Sequence, residues 1–567
     1  MEVTFVSKST IDAGLFIRMF LNGAWNLESN KGVINELNVF PVPDGDTGTN
    51  MTMTIVSAVS ELHALGETQD MKAICKAISS GSLRGARGNS GVILSQLFRG
   101  FCKVVRDHDE VDIPLVADAF DKAVETAYKA VMKPKEGTIL TVAKGAASKA
   151  RELADAGETD FEVFIPAVIA YADEVLQATP EMLPVLKQAG VVDSGGRGLL
   201  EVLKGTLEGY RGREVDVEML MNPSSFDEGQ KEETEGARAG ADVKFAYRTA
   251  FYIRLDKKPG KKVEADFRTF FESIGEKITF ETADEGARVE IDTNDPGLIL
   301  QKCLSLGDLQ EIKIENRRLE GVPVPAIGAA PAAEEPAKAE EPVPAGPRKE
   351  MGIIAVAAGD GMTEIFKGLG VDVVVSGGQS MNPSTADILD AADKVNADTV
   401  FVLPNNKNII LAANQAAAMD GDKKLVVIPT RNLPQGISAV INFIPELDVE
   451  TNRQNMIDEI SRIKSAEVTY AIKDTTIDDK EIREGDMMAI GDSGLLCVCT
   501  DKNEAALGAI RAMVDETTEL ISIFYGADAT EDDANTVMEG IQAEFPNIEV
   551  EIQHGGQPVY YYLLSAE

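Results

Sequence analysis

The sequence is short of the side chains on which several kinds of chemistry depend. Only three histidines (His63, His108 and His554) and one tryptophan occur in 567 residues. No Ser/His/Asp triad or Cys/His pair is legible among them. His63 falls late in a helical stretch and His554 just before a Gly-Gly pair, so both read as structural. Five scattered cysteines (Cys75, Cys102, Cys303, Cys497, Cys499) show no paired metal-type spacing, and their odd number argues against a disulfide framework. Cys497 and Cys499 sit in an alternating apolar run, GLLCVCT, and read as buried strand thiols rather than a redox pair. No basic head followed by an apolar signal core opens the chain. Nor does any apolar run approach the roughly 20 residues that span a bilayer, so a cytoplasmic protein without transmembrane segments is expected. Positive charge is also in deficit: 55 Lys and Arg against 93 Asp and Glu give a net charge of −38. Such a surface repels phosphate backbones, which disfavours a nucleic-acid partner. Any phosphate-bearing ligand on it needs metal ions or local backbone donors.

What is present is ordinary globular composition, 44% hydrophobic and 26% charged. At roughly 150 residues per domain the length suggests three or four cores. Residues 1–215 read as an all-α domain: Met51, Ile55, Val59 and Leu62 recur at helical spacing, as do Ile93, Leu97, Phe101 and Val104. A polar stretch over 222–242 marks a boundary. Residues 243–321 mix strand-like alternation (FAYRTAFYIRL, ARVEIDT) with a helical pattern in EADFRTFFESIG, so a small α/β domain is expected. Residues 322–349 are an Ala/Pro/Glu linker that buries no core. Over 350–567 short apolar runs alternate with helical segments, the rhythm of an α/β domain with a mostly parallel sheet.

Four glycine-rich loops fall between the helices of the first domain. In NVFPVPDGDTGTNM (38–51), Pro41 and Pro43 hold the chain extended into Asp44-Gly45-Asp46, which sets two carboxylates on a sharp bend. Paired carboxylates suit Mg²⁺, which shares oxygen ligands with substrate phosphates. Thr47, Gly48, Thr49 and Asn50 then open a helix whose free N–H groups and hydroxyls suit phosphate oxygens. GSLRGARGNSGVILSQ (81–96) follows no Walker A pattern. Its Asn89, Ser90 and Gly91 open another helix, with Arg84 and Arg87 as possible sources of positive charge. Gly137 and Thr138 in KEGTILTV, and Asp193 and Gly195 in VVDSGGRGLLE, again put small or polar residues at helix beginnings. Asp193 serves either a ribose or adenine group or merely its own helix cap. An antiparallel bundle gathers alternate loops at one end, which makes the four together a candidate nucleotide site.

These loops resemble the nucleotide domain of the dihydroxyacetone kinase L-subunit family, and the wording NVFPVPDGDTGTNM is similar to the fatty acid kinase catalytic subunits. SGGQSMNPS (376–384), LPNNKNIILAANQAA (403–417) and the terminal GGQPVYYYLLSAE resemble the C-terminal domain of the latter. The resemblance implies an eight-helix barrel that holds ATP through Mg²⁺, two ions in the relatives, with Asp44 and Asp46 as ligands and Asn38 standing near a third ligand position. It also implies a DegV-type fatty-acid-binding partner engaged by the C-terminal domain, and a possible homodimer. From the residues alone, 376–378 and 404–406 lie just past strand ends, where open parallel sheets bind ligands, or simply serve turns. In the middle domain Arg248, Glu290 and Asp292 stand where relatives commonly carry Cys and His. No zinc is therefore expected, and an Arg248 pairing with Glu290 or Asp292 would brace the domain instead.

The expected activity is ATP- and Mg²⁺-dependent phosphorylation of a fatty acid carboxylate on its carrier, giving an acyl phosphate, with Asp44 and Asp46 as the catalytic residues. A dihydroxyacetone-type kinase of small hydroxylated substrates and a non-catalytic nucleotide-binding scaffold are the alternatives.

Overall fold

The computed structural model describes residues 9–38, 45–66, 68, 70–131, 133–221, 247–255, 271, 275–282, 286–293, 299, 303, 307–316, 348–378, 382–419, 421–471, 475–477, 480–492 and 494–567. The chain forms two compact units, Met1–Gly229 with Pro344–Glu567, and Gln230–Val343.

The first unit begins with helices: β1 (Ile11–Asp12), α1 (Ala13–Ser29), α2 (Lys31–Leu37), α3 (Thr47–Ala64), α4 (Met71–Arg84), α5 (Gly88–Val105), β2 (Glu110–Val111), α6 (Ile113–Ala130), α7 (Ile139–Asp155), α8 (Phe161–Gln177), α9 (Thr179–Met182), α10 (Pro184–Ala189), α11 (Ser194–Tyr210) and α12 (Val217–Met221). The eight long helices close a ring in the order α1, α3, α4, α5, α6, α7, α8, α11 and back to α1. Their starts are set by acidic caps: Asp12, Asp70, Asp112, Asp160 and Asp193 each accept a first-turn N–H. The apolar stripe Met51, Ile55, Val59 and Leu62 is buried inside the ring. Glycines let α11 lie against α1, since a Cβ on Gly205 would stand 2.2 Å from the Asn22 carbonyl oxygen. The ring encloses an apolar cavity of about 170 Å³ lined by phenylalanines, among them Phe16, Phe20, Phe98 and Phe101. None of its lining residues belongs to the loop of Asp46. Among the described residues no helix is long and apolar enough to cross a membrane.

The second unit contains an antiparallel sheet of β3 (Tyr247–Leu255), β4 (Gly275–Thr282), β5 (Gly286–Thr293) and β6 (Gly307–Asn316), in the order β4-β5-β3-β6. Its backbone register sets Arg248 opposite Asp292 and Glu290 opposite Ala250, so all three positions share one sheet face. The helix expected in EADFRTFFESIG lies, apart from Phe271 and Gly275, outside the described residues.

The remainder of the first unit carries, among the described residues, two larger sheets and a two-stranded antiparallel pair, Thr475–Ile477 with Lys480–Ile482. β7 (Lys349–Ala357), α13 (Asp360–Gly368), β8 (Val373–Ser376), α14 (Thr385–Lys394), β9 (Ala397–Leu403), α15 (Ile410–Ala417) and β10 (Lys424–Val427) build an all-parallel sheet of order β10-β9-β7-β8. The run GIIAVAA explains its central strand: Ile353 and Ala355 join one apolar core, Ile354 and Val356 another, so both faces are covered. α16 (Leu433–Ile441) and α17 (Val449–Ile460) lead into β11 (Lys464–Tyr470), β12 (Thr475–Ile477), β13 (Lys480–Ile482), β14 (Met487–Gly491), β15 (Gly494–Cys499), α18 (Lys502–Met513), β16 (Leu520–Tyr525), α19 (Glu531–Glu544), β17 (Glu549–His554) and β18 (Tyr562–Ala566). Here the order is β15-β14-β11-β18-β16-β17, and only β16–β17 run parallel. The strand–helix rhythm did not separate this second sheet, because the antiparallel pairings of β18 with β11 and β16 join residues far apart in sequence and leave no local trace. Cys497 and Cys499 lie on β15 as free, half-buried thiols.

The C-terminal region packs directly on the helical barrel. Ala86 and Val92, flanking the start of α5, belong to the same apolar core as Ile388, Ile409 and Ala412. Across this contact Gln96 donates to Gln415 Oε1 at 2.9 Å, and Gln415 in turn donates to the Leu83 carbonyl at 2.7 Å.

Candidate active site

The up-and-down course of the barrel brings four helix N-termini together. Ser194, opening α11, donates its hydroxyl to Thr47 Oγ1 of α3 at 3.3 Å. Gly88, opening α5 at φ +57°, is pressed against Asn50 of α3; a Cβ there would meet the Asn50 amide at 2.6 Å. Gly91 lies equally close to Thr54. Asp193 accepts N–H bonds from Gly196 in its own helix and from Ile139 at the start of α7. The positive ends of α3, α5, α7 and α11 thus share one end of the barrel, a setting that attracts anions.

Asp46 caps α3, one of these four helices. It is half-buried, and burial pushes its carboxyl above the ordinary aspartate range, while side-chain hydrogen bonds from Asn50 and Asn382 pull the other way. Asn38 donates to Asp46 Oδ1 at 3.3 Å, and Asn382 of the C-terminal region donates to Oδ2. Among the described residues no Lys or Arg pairs with this carboxylate, and no group of three or more His, Cys, Asp or Glu is placed to hold a metal. Asp44, the expected companion, lies outside the described residues. The donor set that is described consists of one carboxylate and neutral amides, all hard oxygen ligands. The Oδ1 of Asn382, buried beside Asp46, has no hydrogen-bond partner among the described residues. An uncompensated carboxylate with an orphaned amide oxygen at its side fits a hard divalent cation such as Mg²⁺.

The other expected residues divide by what they already bind. Thr49 gives its N–H to Asn35 Oδ1 and accepts from Asn35 Nδ2, both at 3.1 Å, which ties α3 to α2. The Asn50 N–H goes to the Asp46 carbonyl. Thr47 and Gly48 therefore carry the unused N–H groups of that first turn among the described residues. Asn89 reaches the C-terminal region, donating to Asn408 Oδ1 at 3.2 Å, and Ser90 is half-buried behind it. Arg87 does not face the cluster: its guanidinium bonds the Asn382 carbonyl and pairs with Asp387 at 3.3 Å. Gly137 donates to Thr141 Oγ1 and Thr138 to the Lys135 carbonyl, each at 2.8 Å, forming the turn into α7. Gly195 is packed against Ile139. Asn382 itself escaped sequence reasoning, since nothing in the spacing of two residues 336 apart signals a contact. At the parallel sheet's edge, Gly377, Gly378, Pro404, Asn405 and Asn406 line a cavity of about 40 Å³. There Asn405, at φ +53°, bonds the Val356 carbonyl, which is turn chemistry.

Burial pushes the Asp193 carboxyl up to about 6, against the pull of the Gly196 and Ile139 N–H groups. A folded-state value above the unfolded one of about 3.9 favours the fold below pH 4 and loses that contribution as pH rises through 6. Asp193→Asn keeps the cap. Thermal melts from pH 4 to pH 8 should therefore show the variant flatter than the wild type and at least as stable above pH 7.

The helical barrel with its clustered helix N-termini is a kinase-related domain of the DAK2 type, as the match of that family model shows. The DAK2 domain model matches residues 41–208, the FakA-like (fatty acid kinase) middle-domain model residues 244–321, and the FakA-like C-terminal model residues 352–567. Protein YloV of Bacillus subtilis is 42% identical over 565 residues, covering 99% of this chain and 100% of the relative. The chain belongs to the FakA-like fatty acid kinase family. Among solved structures it is similar to a DegV-family protein of Thermus thermophilus described for its fatty acid binding, at 13% identity over 38% of this chain and 99% of that chain (TM-score 0.29). It is also similar to the dihydroxyacetone kinase of C. freundii in complex with AMP-PNP and Mg²⁺, at 17% identity over 36% of this chain and 35% of that chain (TM-score 0.28).

Proposed function

We propose that the chain transfers the terminal phosphoryl group of ATP to the carboxylate of a fatty acid presented by a DegV-type fatty-acid-binding protein, giving ADP and an acyl phosphate. The observation that carries this reading is the meeting of four helix N-termini at the barrel end where Asp46 opens α3. Phosphate oxygens placed there face the N–H groups of Thr47, Gly48, Asn89 and Ser90, and these fixed dipoles offset the background charge of the chain. Asp46, Asp44 and Asn38 would hold Mg²⁺, two ions by resemblance to relatives. Magnesium supplies charge neutralisation on the phosphates and fixes their orientation.

In the transfer a carboxylate oxygen of the fatty acid forms a bond to the γ-phosphorus as the bond from that phosphorus to the bridging β-oxygen breaks, and ADP leaves with the electron pair. A fatty acid carboxylate is already ionised at neutral pH, so no proton has to be removed and no histidine base is required. The protein's own contribution is orientation and preorganised charge.

The test supplies ATP with a fatty-acid-loaded DegV-type protein, and separately with dihydroxyacetone, each with hydroxylamine present and with or without Mg²⁺. An acyl hydroxamate that depends on both the loaded carrier and Mg²⁺ is expected. Phosphorylated dihydroxyacetone would move the assignment to small hydroxylated substrates. Nucleotide binding without turnover on any loaded carrier would leave a scaffold.

A further inference from the structure

Asn382 is held as few surface residues are. It is 2% exposed, its carbonyl accepts from Arg87 Nη1 at 2.8 Å, and three residues on the Thr385 N–H bonds the Ala86 carbonyl at 3.1 Å. This backbone anchorage on the start of α5 presents the side chain to Asp46. Its Nδ2 donates to Asp46 Oδ2, and its Oδ1 is left buried without a donor among the described residues. Folded proteins seldom leave a buried acceptor unmatched, and water or an ion is what matches one when no protein donor does; beside a carboxylate with no cationic partner, a cation answers both groups. An asparagine suits the position better than a basic residue: its Nδ2 holds the carboxylate without opposing the cation, and its Oδ1 is an oxygen acceptor on the same side chain.

The geometry points to Asn382, contributed by the C-terminal region, as a positioning residue of the phosphoryl-transfer site, orienting the Asp46 carboxylate and lending Oδ1 to the coordination shell of the divalent cation. This rests on the Mg-ATP reading of Asp46 and adds that the site is incomplete in the helical barrel alone. Partners that orient a metal's ligands typically change affinity by about 10–100-fold when removed.

The test uses the full-length chain, with Mn²⁺ and AMP-PNP followed by electron paramagnetic resonance. Asn382→Ala should raise the Mn²⁺ dissociation constant at least about tenfold. Gln415→Ala, which removes a buried contact between the same two regions further along α5, should change it less than twofold. Asn382→Asp preserves the volume and places a second carboxylate against Asp46, so Mn²⁺ should raise its melting temperature more than it raises that of the wild type. The inference is overturned by an unchanged constant in Asn382→Ala, by an equal loss in Gln415→Ala, or by equal Mn²⁺ shifts in Asn382→Asp and wild type. Wild type that binds no Mn²⁺ with AMP-PNP sinks the Mg-ATP reading as well. Binding by wild type and by Asn382→Ala alike sinks only the part given to Asn382.

Discussion

Asp46→Asn is expected to lower acyl hydroxamate formation by about 10³-fold or more, some 4 kcal/mol of transition-state stabilisation, while the chain stays folded. The substitution keeps shape and volume and removes the charge around which Asn38, Asn50 and Asn382 are arranged. Its effect on stability has the opposite sign. Because burial raises the Asp46 carboxyl, the ionised group costs the apo fold at neutral pH, and the neutral amide relieves that cost. The variant should therefore melt no lower than wild type without Mg²⁺ and lose whatever Mg²⁺-dependent stabilisation wild type shows. Asp44→Asn should lower the rate comparably, on the resemblance that assigns it as the companion ligand. A variant of Asp46 that retains a tenth of the activity would remove this carboxylate from the chemistry.

Gly48→Ala should strongly impair nucleotide binding and rate. A Cβ on Gly48 would lie 2.4 Å from the Lys31 carbonyl oxygen and 2.9 Å from Asn35 Oδ1, and neither α2 backbone nor the Asn35–Thr49 pair has room to give. The first turn of α3 must lift off α2, carrying Asp46, Thr47 and the unused N–H groups with it. Overpacking of this kind costs about 1–3 kcal/mol of stability. Displacement by an ångström is enough to cost binding and rate about 10²-fold. Gly32→Ala in α2, whose Cβ meets nothing within 4 Å, is the matched control and should be neutral or stabilising by about 0.5–1 kcal/mol. Equal nucleotide affinity in the two variants would show that the start of α3 does not touch the phosphates.

The sequence by itself determined the helices of the first domain, the strand–helix rhythm after residue 350, and the loops that lie at helix beginnings. Each of these is written in local spacing: Met51, Ile55, Val59 and Leu62 stand one turn apart and are all buried, and aspartates precede the helices they cap. Tertiary structure alone decided what those loops face. Thr49 looked like a phosphate ligand because a threonine at a helix start suits one, yet Asn35 takes its N–H and donates to its hydroxyl oxygen. Arg87 looked like a counter-charge for phosphate, yet its guanidinium anchors the Asn382 backbone. The amide on Asp46 comes from a residue 336 positions away. Capping and amphipathic periodicity are bonds between neighbours along the chain, so they show in the order of residues. A hydrogen bond that closes between two separately built regions has no such neighbour relation, and only their packing reveals it.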